Sequence, residues 1–131
     1  MTAMTAIYDA MHHIGSPVAT TCVGQAAADA AVLLAAGEAG KRAMLGHARA
    51  VLRQPHAEGA RGTIPDLIVA ADEIVRQRRE VEGMLAASTG RYQGQIRRDL
   101  DRDLVLDAKA AQEFGLIDVI LSNVDQAASE S

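Results

Sequence analysis

The sequence predicts a single α/β domain. Short apolar runs alternate with segments of helical period, glycine or proline punctuates the joins, and aromatic residues are nearly lacking. At 131 residues the chain is of one-domain size, and 49% hydrophobic with 23% charged residues is a globular composition. Aromatics make up only 2%, so the core must be built from Ala, Leu, Ile, Val and Met. That suits helices packed closely on a small-residue sheet, and it argues against base-stacking platforms. A net charge of −4 with no basic cluster argues against phosphate-backbone binding, so no nucleic acid partner is expected. Cys22 is the one cysteine, which excludes an internal disulfide and reads as a buried, inert thiol in an apolar strand. The longest apolar run, Ala26 to Ala36, is interrupted by Asp29 and too short to span a bilayer. No signal-peptide pattern opens the chain, so a cytoplasmic protein without membrane contact is expected.

The elements follow in order. Thr2 to Ile14 has helical spacing, with Met4, Ile7, Tyr8 and Met11 as its apolar stripe. Gly15-Ser16-Pro17 ends it, Val18 to Val23 reads as a strand, Gly24 breaks that strand, and Gln25 to Ala36 reads as an Ala/Leu-rich helix capped by Gly37. Short strands are expected at Arg42 to Leu45 and Ala50 to Leu52, then a loop from His56 to Ile64. Pro65 to Ser88 is the longest helix, because Pro65 suits a first turn and Leu67, Ile68, Ala71, Ile74, Val75, Val81 and Leu85 recur near helical spacing. Its other face is charged. Thr89-Gly90 ends it, a short helix covers Gln93 to Leu100, and Leu104 to Leu106 adds a strand. Asp107 caps a helix from Ala108 to Phe114, Ile117 to Leu121 is the last strand, and residues 125–131 form a polar tail after a domain of residues 1–124.

Several blocks resemble the proteolytic subunit of the ATP-dependent Clp protease, a serine peptidase family. Gly24-Gln25-Ala26-Ala27-Ala28-Asp29-Ala30-Ala31 resembles its nucleophile segment, Gly-Gln-Ala-Ala-Ser-Met-Gly-Ala. Ala6 to Met11 resembles its Ile-Tyr-Asp-Thr-Met helix, and Leu34 to Arg42 its Leu-Ala-Ala-Gly-x-x-Gly-Lys-Arg turn. Arg53-Gln54-Pro55 resembles His-Gln-Pro, Arg98 to Asp103 resembles an Arg-Asp-x-(Glu/Asp)-Arg-Asp run, and Ala110 to Asp118 resembles the family's ending. These blocks keep the family's order along the whole chain. The resemblance implies a ClpP/crotonase-like α/β domain, incomplete at the N-terminus and carrying a long amphipathic handle-like helix. Several strands, a helix and a glycine-rich oxyanion loop precede Met1 in the family, so the recorded start is expected to lie inside a longer gene.

The resemblance also assigns site residues. The triad positions are Ala28 for the serine, Arg53 for the histidine and Asp103 for the aspartate, and only Asp103 keeps the family identity. Alanine has no nucleophilic atom, and a guanidinium stays protonated and cannot act as a base. Asp29 takes the position whose N–H helps bind the oxyanion, where a carboxylate would repel the developing charge. Arg53 could reach Asp103 in a fork geometry, converting a catalytic pair into a structural bridge, or it could point to solvent. By themselves Asp101 and Arg102 read as a solvated charged turn, and the resemblance matches them to residues that make charged contacts between rings. His56 reads as a solvated loop histidine or a displaced base, His12 and His13 point about 100° apart on a helix, and His47 has no partner at ligand spacing. No metal or other cofactor is expected.

The implied function is a catalytically inactive homologue, a structural member of a Clp peptidase ring. Its partners would be an active Clp proteolytic paralogue or further copies of itself, with a Clp ATPase engaged indirectly. Three alternatives stay open: a serine endopeptidase subunit with a rewired site, a crotonase-like acyl-CoA enzyme using Asp29, and a non-functional gene fragment.

Overall fold

The computed structural model describes residues 2–55 and 62–122. His56, most of the loop that holds it, and the polar tail lie outside the described residues. The chain is an α/β domain of two three-stranded sheets with helices between and around them.

Helix α1 (Thr2–His13) leads into β1 (Thr20–Cys22), and Gly24 at φ 82° turns the chain into β2 (Gln25–Ala27). Helix α2 (Asp29–Ala35) then leads to β3 (Arg42–Leu45) and β4 (Arg49–Leu52). The first sheet has the order β1-β3-β6, all parallel, where β6 is Val119–Leu121. The second has the order β2-β4-β5, with β2 parallel and β5 (Leu104–Asp107) antiparallel to β4. The chain therefore crosses from the first sheet to the second twice, at Gly24 and between β3 and β4.

Two expectations change. Gln25 to Ala27 forms a strand and not the first turn of a helix, because its backbone pairs with Arg49, Ala50 and Val51 of β4. Alanine favours helix by only a few tenths of a kcal/mol per residue over ordinary residues, which a ladder of tertiary hydrogen bonds outweighs. The apolar stripe of α1 is narrower than its spacing suggests. Met4 is buried and Tyr8 and Met11 half-buried, whereas Ile7 is exposed among the described residues.

Local signals set the remaining ends. Thr63 and Asp66 form a reciprocal capping box at the start of α3 (Ile64–Thr89), with Pro65 in its first turn, and Gly90 in the left-handed region stops it. At 26 residues α3 is about 39 Å long. Only its C-terminal part is buried, at Val81, Glu82 and Leu85, against α2 and α4 (Gln93–Asp99). The N-terminal half exposes Ile64, Leu67, Ile68 and Val69, so the expected stripe is covered only near the base of this handle-like helix. Asp107 caps α5 (Ala108–Phe114) as expected, its Oδ1 accepting from the Ala110 N–H at 2.8 Å.

The core is aliphatic, centred on Met44, Ala50, Leu52, Leu85, Ile96 and Leu116. Two buried charged groups cross it. Arg42 donates from Nε and Nη2 to the two oxygens of Asp118, at 2.9 and 2.8 Å. Its Nη1 donates to the carbonyls of Ala35, Ser88 and Gly115, which ties the C-terminal ends of α2, α3 and α5 to the first sheet. The Arg42 hydrogen bond holds the Asp118 carboxyl below the usual carboxylate range, against the opposing effect of burial, with backbone N–H groups of Arg42 and Gly40 adding to it. Glu82 is the second, accepting from Arg97 and from the Gln54 amide at 3.0 and 3.2 Å.

Candidate functional site

The second sheet builds the site by its register. Ala27 pairs with Val51 and Leu52 pairs with Leu104, so Ala28, Arg53 and Asp103 each lie one residue beyond a strand at the same end of the sheet. Residues separated by 75 positions in sequence, such as Ala28 and Asp103, are thereby brought to one edge.

Ala28 forms a sharp turn between β2 and α2. Its φ of 53° and ψ of −113° make it the one non-glycine residue with positive φ among the described residues. An L-residue there carries about 1–3 kcal/mol of strain. Three backbone hydrogen bonds hold it: its N–H donates to Val51 at 2.8 Å, and its carbonyl accepts from Ala31 and Val32. The geometry is that of a turn which thrusts its side chain out ahead of a helix. The side chain is a methyl group. Asp29 follows as the first residue of α2, where the helix dipole favours a carboxylate.

Ala28, Asp29 and Arg53 line one cavity of about 220 Å³, closed by Val32, Val81 and Pro55. Arg53 Nε lies 3.3 Å from Asp103 Oδ2, so the sequence expectation of an Arg53–Asp103 pair is met as a contact. The fork is not formed. This is a single approach between side chains 41% and 60% exposed, and Arg53 donates no hydrogen bond among the described residues. Asp101 and Arg102 are exposed and line a neighbouring cavity of about 530 Å³ with Arg78, Arg97 and Glu82.

The other candidates do not join the site. Cys22 is buried, which pushes its thiol up, and its Sγ faces the Arg49 carbonyl. His12 bonds the Tyr8 carbonyl within α1 and stacks on its ring, and His47 is exposed. Among the described residues no group of His, Cys, Asp and Glu could hold a metal ion, and no helix is long and apolar enough to cross a membrane. Sequence reasoning missed Gln54 and Glu82, whose hydrogen bond fixes the segment after β4. The sequence places Glu82 with Arg76, Arg78, Arg79 and Glu80 on the charged face of α3; the structure buries it instead, and its helical spacing of three from Leu85 and seven from Val75 was the available signal.

Residues 1–124 match the family model described as Clp protease. The chain belongs to that family. It is 61% identical over 120 residues to the ATP-dependent Clp protease proteolytic subunit 1 of Nocardia farcinica, covering 92% of this chain and 60% of that protein. A putative ATP-dependent Clp protease proteolytic subunit-like protein of Streptomyces coelicolor is 56% identical over 92% of this chain and 57% of its own length. The proteolytic subunit 2 of the same organism is 49% identical, over 92% and 56%. The chain thus spans a little over half the length of these Clp protease relatives.

Proposed function

We propose that this chain is a catalytically inactive homologue of the Clp proteolytic subunit, acting as a structural member of a Clp peptidase ring. One observation carries the reading: a strained turn of the kind that presents a nucleophile ends in the methyl group of Ala28. Acyl transfer by this route needs a nucleophile, a base within hydrogen-bond reach and an acid that orients the base. Ala28 supplies no attacking atom, and Arg53 at the cavity wall cannot accept a proton. Asp103 remains in place, but the group it meets is a permanent cation. The Asp29 carboxylate, at the first residue of α2, opposes an oxyanion forming over that helix end.

The ring role is supported by what the chain leaves uncovered. Ile64, Leu67, Ile68 and Val69 are exposed on the first turns of α3, and the charged pair Asp101 and Arg102 is exposed beside its base. Exposed apolar residues grouped on one helix end, and an exposed charged pair near the other, are two surfaces that a neighbouring subunit could cover. The partner we propose is an active Clp proteolytic paralogue, or self, within the cytoplasm, with a Clp ATPase serving the assembly.

The test has two arms. The purified chain should hydrolyse no short fluorogenic peptide and take no label from a serine-reactive fluorophosphonate; activity and labelling that track this protein through purification would overturn the inactive reading. Co-expressed with a Clp proteolytic subunit that has Ser and His at the corresponding positions, it should co-purify in a particle of ring size by light scattering. Charge reversal at Asp101 or Arg102 should weaken that association, and a chain that stays monomeric beside such subunits would end the ring reading.

A further inference from the structure

A cavity of about 570 Å³ lies between α1 and the C-terminal ends of α2 and α3. It has the size of a site for a small ligand or a single side chain. Met11, Val18, Ala36 and Ala87 supply apolar walls, and Tyr8, His12 and Glu38 supply groups that recognise a cation. Arg42 also reaches the lining, but its guanidinium is spent: Nε and Nη2 donate to Asp118, and Nη1 donates to the carbonyls of Ala35, Ser88 and Gly115. Glu38 is therefore the uncompensated carboxylate of this cavity. It is exposed and makes no ion pair or side-chain hydrogen bond among the described residues.

The Glu38 backbone is anchored on both sides. Its N–H donates to the Val18 carbonyl at 2.7 Å, and its carbonyl accepts from the Lys41 N–H at 2.9 Å. The aromatic wall is fixed as well. The rings of Tyr8 and His12 stack with centroids 4.3 Å apart and planes inclined by 27°, and His12 Nδ1 donates to the Tyr8 carbonyl at 2.9 Å. Groups held in place lose little freedom when a ligand arrives. A carboxylate beside a flat π surface suits a planar cation, which can stack on the ring and donate to the carboxylate in one pose. The chain makes that arrangement once with its own residues: the Arg91 guanidinium lies 4.3 Å over the Phe114 ring, with the Asp99 carboxylate 4.0 Å away.

We propose that this cavity binds an alkylguanidinium, the group that an arginine side chain carries. The guanidinium lies on the Tyr8–His12 stack and donates to Glu38, and its methylene stem covers Met11, Val18 and Ala87. A primary ammonium would meet Glu38 without filling the aromatic face, and an anion would meet an unpaired carboxylate. The inference stands apart from the reading of Ala28, because this cavity and the one beside Ala28 have no lining residue in common.

The experiment titrates the full chain with N-acetyl-arginine methylamide and with its neutral isostere, the citrulline compound, following backbone amide shifts by NMR. It is run at about pH 8, above the range in which imidazoles ordinarily charge. The arginine compound should move the signals of Tyr8, Glu38 and Ala87, and should bind at least about tenfold more tightly than the citrulline compound, the factor one charge-assisted hydrogen bond supplies. Glu38→Gln should abolish that preference while the rest of the spectrum stays in place, and Glu38→Asp should keep part of it. The corresponding lysine compound should bind more weakly than arginine. Propylguanidine, which has the stem and no peptide groups, separates the sources: equal affinity assigns the site to a small guanidine, and lower affinity to an arginine within a peptide. Equal affinity for arginine and citrulline, or for arginine and lysine, would overturn the proposal, as would no binding or shifts confined to another surface.

Discussion

Arg42 and Arg53 each meet an aspartate from a distant part of the chain, yet the two pairs are physically unlike. Arg42 and Asp118 make two short hydrogen bonds, and their side chains are 8% and 25% exposed. Arg42 also serves three helix-end carbonyls, so all its donating nitrogens are occupied in the interior. Arg53 and Asp103 share one 3.3 Å approach at a surface open to water. A buried pair cannot be half-removed cheaply, because the remaining charge is stranded in low dielectric. An exposed pair loses little, because water replaces the partner. The first region holds the fold together, and the second is free to change chemistry.

The largest expected effect tests the first half of that contrast. Arg42→Ala should destabilise the chain by about 3–5 kcal/mol in chemical denaturation, or prevent folding. Acid should act through the same pair. The Asp118 carboxyl has a folded pKa below its unfolded value, so its stabilisation is complete above the ordinary carboxylate range and fades as pH falls through that range to the folded pKa. Asp118→Asn should therefore remove part of the acid slope below a pH of about 4. An unchanged slope would show that this pair does not set the acid limit.

An intermediate case sharpens the comparison. Glu82 is 2% exposed, but its partner Arg97 is 60% exposed, so solvent moderates the loss. Arg97→Ala should lower stability by less than Arg42→Ala and by more than Arg53→Ala in chemical denaturation, because it strands the buried Glu82 carboxylate while water takes the place of an exposed guanidinium. Arg97→Lys should recover part of it.

Two smaller effects probe the site itself. Ala28→Gly should raise stability by about 0.5–1 kcal/mol, because glycine accepts φ 53° without strain and loses only part of that gain through its freer unfolded chain. A loss of stability would mean the turn is not strained. Arg53→Ala should change stability by no more than about 0.5 kcal/mol, and a double-mutant cycle with Asp103→Ala should show coupling below about 1 kcal/mol. Strong coupling would erase the distinction between the two pairs.

The two pairs also divide what could be read in advance. The Arg53–Asp103 approach was foreseen from block resemblance, but its strength was not, since exposure depends on how β4 and β5 end at the sheet edge. Arg42–Asp118 was not foreseen at all: Arg42 read as the first residue of a strand and Asp118 as part of the last one, 76 positions away. Nothing in either local pattern announces a buried partner.

The sequence by itself determined the α/β class, the length of α3 between Pro65 and Gly90, the Asp107 cap, and the methyl group at Ala28. Each is a local property, written in side-chain chemistry, capping or a repeat of a few residues. The tertiary structure alone decided that Gln25 to Ala27 is a strand, that Arg42 and Glu82 are buried, and that Arg53 stays at the surface. These outcomes follow from parallel and antiparallel pairing between segments far apart in the chain. Hydrogen bonding and burial are settled there by neighbours that no local window contains.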